Sequence, residues 1–155
     1  MHYINIMRKV IPLVLLFIGI SLFNLQAQTD EELVIQAVQK FFDAMADKDT
    51  AVMKEILLMD GQLYSVRREN EEMKIRRTTH WDYVNGLAKV QDEYLETMNS
   101  PMIHIHGNIA VVWTNYNFYL NNEFSHTGVD AFSLIKTKTG WKIAGTIYTV
   151  ERKDE

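Results

Sequence analysis

From Ile109 to Val150 the chain reads as three long β-runs joined by turns only two residues long, and this meander constrains the fold more than any other segment. Apolar residues crowd residues 109–120, 124–136 and 141–150, with Asn121-Asn122 and Lys138-Thr139 as the turns between the runs. Antiparallel strands of this length carry an apolar face that something must cover. The residues before them have the helical period to do so.

Thr29-Asp30-Glu31-Glu32 has the form of a capping box, and Val34, Val38, Phe41, Phe42 and Met45 then follow at three- and four-residue spacing down to the break at Asp47-Lys48-Asp49. A second helix, capped by Asp49 or Thr50, carries Val52, Met53, Ile56 and Leu57 and is expected to stop at Asp60-Gly61, with Gly61 as a left-handed C-cap. Residues 63–68 and 73–77 alternate around Glu69-Asn70-Glu71-Glu72 as a polar hairpin. Thr79 caps a third helix bearing Trp81, Tyr83, Val84 and Leu87, and residues 94–99 and 102–106 add two short strands before the meander. The expected class is α+β, with about three N-terminal helices on one face of a strongly curved, mainly antiparallel sheet.

The first residues read as an address. Arg8-Lys9, an apolar run over 10–23 broken by Pro12, Gly19 and Ser21, and Leu25-Gln26-Ala27 form a secretory signal with cleavage expected after Ala27. The run is short for a bilayer span, so no membrane span is expected after cleavage. Residues 28–155 are then one domain in the periplasm or outside the cell. The absence of cysteine excludes disulfide staples, thiolate metal sites and a catalytic thiol. A net charge of -4 with no basic face argues against a nucleic-acid partner.

Register divides the meander into faces. With unbroken pairing from Asn121-Asn122, Asn117 opposes His126, Asn115 opposes Gly128, Trp113 opposes Asp130, Val111 opposes Phe132 and Ile109 opposes Leu134. The Lys138-Thr139 turn sets Leu134 opposite Ile143, Phe132 opposite Gly145, Asp130 opposite Ile147 and Gly128 opposite Thr149. One half of the helix-covered face is then core: Ile109, Val111, Phe132, Leu134, Trp141 and Ile143. The other half gathers Trp113, Asn115, Asn117, His126, Asp130 and Thr149 around the space left by Gly128, which is the composition of a pocket. The opposite face, with Ala110, Val112, Thr114, Tyr116, Phe118, Val129, Ala131, Ser133, Ala144, Thr146 and Tyr148, is semi-apolar and suits a homodimer contact.

The segments Ile109-Ala110-Val111-Val112-Trp113, Phe124 through Phe132, and Gly140-Trp141-Lys142-Ile143-Ala144 resemble the nuclear transport factor 2-like superfamily. The resemblance is nearest to its exported bacterial branch of lumazine-binding and polyketide-cyclase-like proteins. It implies a cone-shaped roll with a pocket between helices and sheet. Function is left open, because the superfamily holds isomerases, dehydratases and epoxide hydrolases beside binding modules. Where that branch reads His-Cys-Gly, this chain has His126-Thr127-Gly128, with Thr127 on the opposite face.

Two function classes follow. In the first, a small apolar or aromatic molecule sits between Trp113 and the helices, with Trp81 and Tyr83 at the mouth and Asn115, Asn117, His126, Asp130 and Thr149 orienting it. In the second, Asp130 or His126 transfers protons in an isomerase, dehydratase or cyclase reaction; lying about 13 Å apart along one strand at ~3.3 Å per residue, the two flank a ligand rather than form a dyad. No cofactor or metal is expected. His104 and His106 make a His-x-His pair, but a bulge at Gly107-Asn108 is expected to turn them to the surface. Arg67, Arg68, Arg76 and Arg77 can cradle an anion or pair with Glu69, Glu71 and Glu72.

Overall fold

The computed structural model describes residues 28–152, so the leader expected over 1–27 lies outside the described residues. The elements are α1 (Asp30–Ala46), α2 (Thr50–Ile56), β1 (Leu57–Glu69), β2 (Glu72–Thr79), α3 (His80–Leu87), β3 (Tyr94–His106), β4 (Ile109–Leu120), β5 (Glu123–Thr137) and β6 (Gly140–Val150). The fold is α+β. One six-stranded sheet runs in the order β2-β1-β6-β5-β4-β3, antiparallel throughout except that β1 and β6 run parallel. Among the described residues no helix is long and apolar enough to cross a membrane.

Each helix starts where its cap can satisfy free amides. The Thr29 hydroxyl accepts from the Glu32 amide at 3.2 Å while Thr29 N donates to Glu32 Oε2 at 2.9 Å, and Asp49 Oδ1 accepts from Ala51 and Val52 at 3.0 Å each. Thr79 Oγ1 accepts from Asp82 N at 3.0 Å. Residue Asp30, in the first turn of α1, accepts from Lys136 Nζ at 2.6 Å and from the Trp141 indole at 3.2 Å, which fixes the helix over the far end of β5 and β6. The α1 stripe then packs on the sheet, with Phe41 and Phe42 edge-on to Phe132 at 5.7 and 5.8 Å. Val34, Val38, Leu134, Trp141 and Ile143 complete this core.

The second helix ends at Ile56, four residues before the expected stop, and the chain passes directly into β1. Gly61 is therefore a strand residue, not a left-handed cap. Its lack of a side chain has another cause: a Cβ there would lie 2.4 Å from both the Ala144 carbonyl oxygen and the His80 ring. Behind it His80 is fully buried, its Nδ1 2.5 Å from the Leu58 oxygen.

Both central turns form as expected, yet two bulges shift the register beyond them. Leu120 pairs with Glu123 and Tyr119 with Phe124, but Phe118 then pairs with His126, so Ser125 is an extra residue on β5. Every β4 residue from 118 back to 109 changes face. Ala110, Val112, Thr114, Tyr116 and Phe118 point under the helices, whereas Ile109, Val111 and Trp113 are 59%, 50% and 50% exposed on the open face with Asn115 and Asn117. Ala144 is likewise extra on β6, since Leu134 pairs with Ile143 and Ser133 with Gly145. That turns Thr146 and Tyr148 inward and Ile147 and Thr149 outward.

Strand β3 is continuous across the break expected at residues 100–101, where a bulge with Ser100 at φ 53 interrupts the ladder. The Gly107-Asn108 turn has no bulge: His106 pairs with Ile109 and His104 with Val111. The histidines reach the open face because β4 itself is reversed.

Candidate functional site

A cavity of about 540 Å³ lies between the sheet and the helices, walled by Phe41 and Met45 of α1, Tyr83 and Leu87 of α3, and the inward side chains of all six strands. Its sides are aromatic. Phe41 stacks on Tyr83 at 5.8 Å, Tyr94 meets Phe118 edge-on at 5.2 Å, and Phe118 stacks on His126 at 4.8 Å. Gly128 leaves room for the Tyr116 ring at the cavity wall, since a Cβ there would stand 2.8 Å from Tyr116 Cε1 and 2.2 Å from the Thr149 oxygen. Across that gap the Tyr116 hydroxyl donates to Thr149 O at 2.7 Å.

Register sets the polar groups in one row over the cavity wall: Arg76 of β2, Ser65 of β1, Tyr148 of β6 and Asp130 of β5 are successive cross-strand partners. Asp130 is 3% exposed, and burial pushes its carboxyl up to about 7. Glu96 of β3 lies within hydrogen-bonding reach of it. Burial, then the nearby Asp130 charge, holds Glu96 well above the usual carboxylate range. Two acids this close do not both ionise readily, so near neutral pH they retain a proton between them. Asp130 Oδ2 nevertheless has no hydrogen-bond partner among the described residues, and neither does Thr146 Oγ1, a second buried atom in the same lining. Buried polar atoms without partners are uncommon in folded proteins, and Asp130 and Thr146 both belong to the lining of this one cavity.

His126 adds a ring nitrogen. Its Nδ1 lies 3.0 Å from Ser125 Oγ, and burial, then the charge of Arg152, lowers its affinity for a proton. Among the residues singled out in the sequence, His126, Asp130 and Tyr83 line this cavity together, with Arg67 and Arg76 of the arginine cluster. Trp113, Asn115 and Asn117 do not, because the Ser125 bulge turns them to the open face. Thr149 faces outward and is engaged with the backbone, its hydroxyl accepting from Val129 N at 2.9 Å. Trp81 is 55% exposed on α3. Thr127 lies on the open face as expected, its hydroxyl donating to Tyr116 O at 2.5 Å.

Sequence reasoning missed Glu96, Tyr116, Phe118, Thr146 and Tyr148. Glu96 had a signal: it is the one charge among Tyr94, Glu96 and Met98, which share a strand face.

A family model described as "Putative lumazine-binding" matches residues 29–149. No curated protein matches the chain. A nuclear transport factor 2-like superfamily protein from Salmonella enterica serovar Typhimurium is 16% identical, with a TM-score of 0.63 over 81% of this chain and 94% of that one. A protein with a cystatin-like fold from Nostoc punctiforme is 8% identical, with a TM-score of 0.63 over 79% and 92%. A third similar structure, a "putative dehydratase" of the same superfamily from Streptomyces avermitilis, is 15% identical, with a TM-score of 0.62 over 78% and 95%. At these identities the likeness is one of fold.

Proposed function

The chain belongs to the "Putative lumazine-binding" family, and from that premise we propose that its helix-covered cavity binds a small planar heteroaromatic molecule of the lumazine type. The observation that carries this reading is the buried, unpartnered Asp130 Oδ2 at the wall of an aromatic cavity. A lumazine ring has an imide edge, N–H between two carbonyls. The Asp130–Glu96 pair, holding a proton, offers acceptors and a donor to such an edge, while Phe41, Tyr83, Phe118 and His126 offer ring faces. Lumazine should therefore raise the melting temperature of the protein, and Asp130→Asn should weaken binding by about 10-fold or more in calorimetry. Failure of lumazine to bind, or affinity indifferent to that substitution, would sink the proposal.

A second reading rests on the same pair. A carboxyl held near neutrality suits general acid–base work, and isomerase or dehydratase chemistry needs only one placed base. Turnover of a bound compound that falls about 100-fold in Asp130→Asn with affinity retained would favour this reading over simple binding.

For the open face we infer pairing with a second copy of the chain. Met102, Ile109, Val111, Trp113, Ile135 and Ile147 are each at least 40% exposed on that one face, and an apolar surface of this kind is costly to leave in water.

A further inference from the structure

We propose that the molecule taken by the cavity is an acid, its anionic group held at the mouth by Arg76 and Arg152. This rests on the reading of the cavity as a ligand site and names the class of ligand it takes.

The argument starts from how the first hairpin divides its arginines. Ser65 pairs with Arg76 and Val150 with Arg67, which puts these two arginines on the helix-covered side, where both line the cavity. Tyr64 pairs with Arg77, and Arg77 and Arg68 belong to the open face. One tetrad in sequence is thus two pairs in space. Arg152, just beyond β6, joins the inner pair in the lining.

Charge accounting then separates the inner arginines. Of the hairpin's carboxylates, Glu69 is engaged with Arg67 at 3.2 Å and Glu72 with Lys74 at 2.5 Å, while Glu71 and Asp60 are not part of the cavity lining. Arg76 and Arg152 have no ion-pair partner among the described residues. Asp82, another acid of the lining, accepts at 2.7 Å from the hydroxyl of Thr79, the cap of α3. Nor do the arginines serve the acid pair: neither figures among the groups that set the ionisation of Asp130 and Glu96. Their charges act instead on two other groups of the lining, Arg76 on Tyr148 and Arg152 on His126. Two guanidinium groups from separate elements therefore face one opening without a carboxylate, and a guanidinium fork recognises carboxylate or phosphate oxygens by two parallel hydrogen bonds.

The row of cross-strand partners gives the ligand its length. From Asp130 through Tyr148 and Ser65 to Arg76 the chain crosses three strand spacings, about 14 Å between backbones at ~4.8 Å each, shortened by side chains reaching in from both ends. A lone inorganic anion does not bridge such a span. A fused bicyclic ring with an acid group opposite its imide edge does. The acid pair at the other end retains a proton and so does not present two full charges to repel it.

The test compares two probes of one shape, lumazine-6-carboxylate and the neutral lumazine-6-carboxamide, by calorimetry at low salt. The carboxylate is expected to bind at least about 10-fold tighter, with the advantage shrinking as salt is raised. The double substitution Arg76→Gln with Arg152→Gln should erase that advantage, the carboxylate losing far more affinity than the carboxamide. Arg68→Gln with Arg77→Gln, on the other face, should leave the advantage intact. Equal affinities for the two probes, or an advantage that survives loss of Arg76 and Arg152, overturns the anion assignment; carboxamide binding that still depends on Asp130 then leaves the cavity reading standing. If neither probe binds, both fall together.

Discussion

Burial of Asp130 disfavours its charged form, so folding and proton uptake are coupled at this residue. The sign follows from the raised affinity for a proton. With a folded value of about 7 against an ordinary 3.8, the stabilising contribution is complete below pH 3.8 and is lost as pH climbs through 7. Glu96, raised as well, adds a slope of the same sign, whereas Asp30, lowered by its bonds to Lys136 and Trp141, contributes the opposite slope at acid pH. Asp130→Asn keeps the shape and removes the ionisation. Urea unfolding should find the variant about 1–2 kcal/mol more stable than the parent at pH 8, with the difference shrinking toward pH 4. A difference independent of pH would mean that Asp130 is not desolvated as described. Asp130 and His126 were legible in the sequence because β5 carries them on a face fixed by Phe132 and Leu134. Glu96 was not, because nothing local says that two acids 34 positions apart meet across an intervening strand.

At the scale of elements the sequence was clearest where a local rule decides the outcome. Caps at Thr29, Asp49 and Thr79 and the two-residue turns at Asn121-Asn122 and Lys138-Thr139 form where their chemistry puts them. Strand β4 defeated that reading, since both its faces are apolar enough to be core and alternation cannot choose between them. The choice is made by one residue on its neighbour, Ser125, and no composition rule flags a bulge at a serine. Deleting Ser125 would join Phe124 to His126 and leave every observed pair in place, Tyr119 still opposite Phe124 and Phe118 still opposite His126, so Ile109, Val111 and Trp113 should stay on the open face. The deletion variant should therefore keep its cooperative unfolding and lose no more than about 1 kcal/mol. Loss of cooperative melting would show that Ser125 does more than set the register of β4.

The whole molecule has one face of its sheet under helices and one face open, and the two were partly interchanged in the sequence-based expectation. The corrected open face is the more apolar one, because reversal of β4 brings Ile109, Val111 and Trp113 onto it. If two copies meet there, Val111→Lys should give monomers in sedimentation without lowering stability, since residue 111 is half exposed and no core contact is lost. An unchanged sedimentation coefficient would count against the pairing.

The parallel match between β1 and β6 has a further consequence for how the sheet assembles. The hairpin of β1 and β2 joins the sheet solely through β6, the last strand in the chain. During synthesis this hairpin has no neighbouring strand to settle against until residue 150 has emerged. The other four strands join by successive antiparallel links, whereas this union closes a loop of some eighty residues, the kind of long-range contact that slows folding. The sheet therefore reaches its full width only as a final event, and a chain caught before it would present the future partners of β1 and β6 as two unguarded edges.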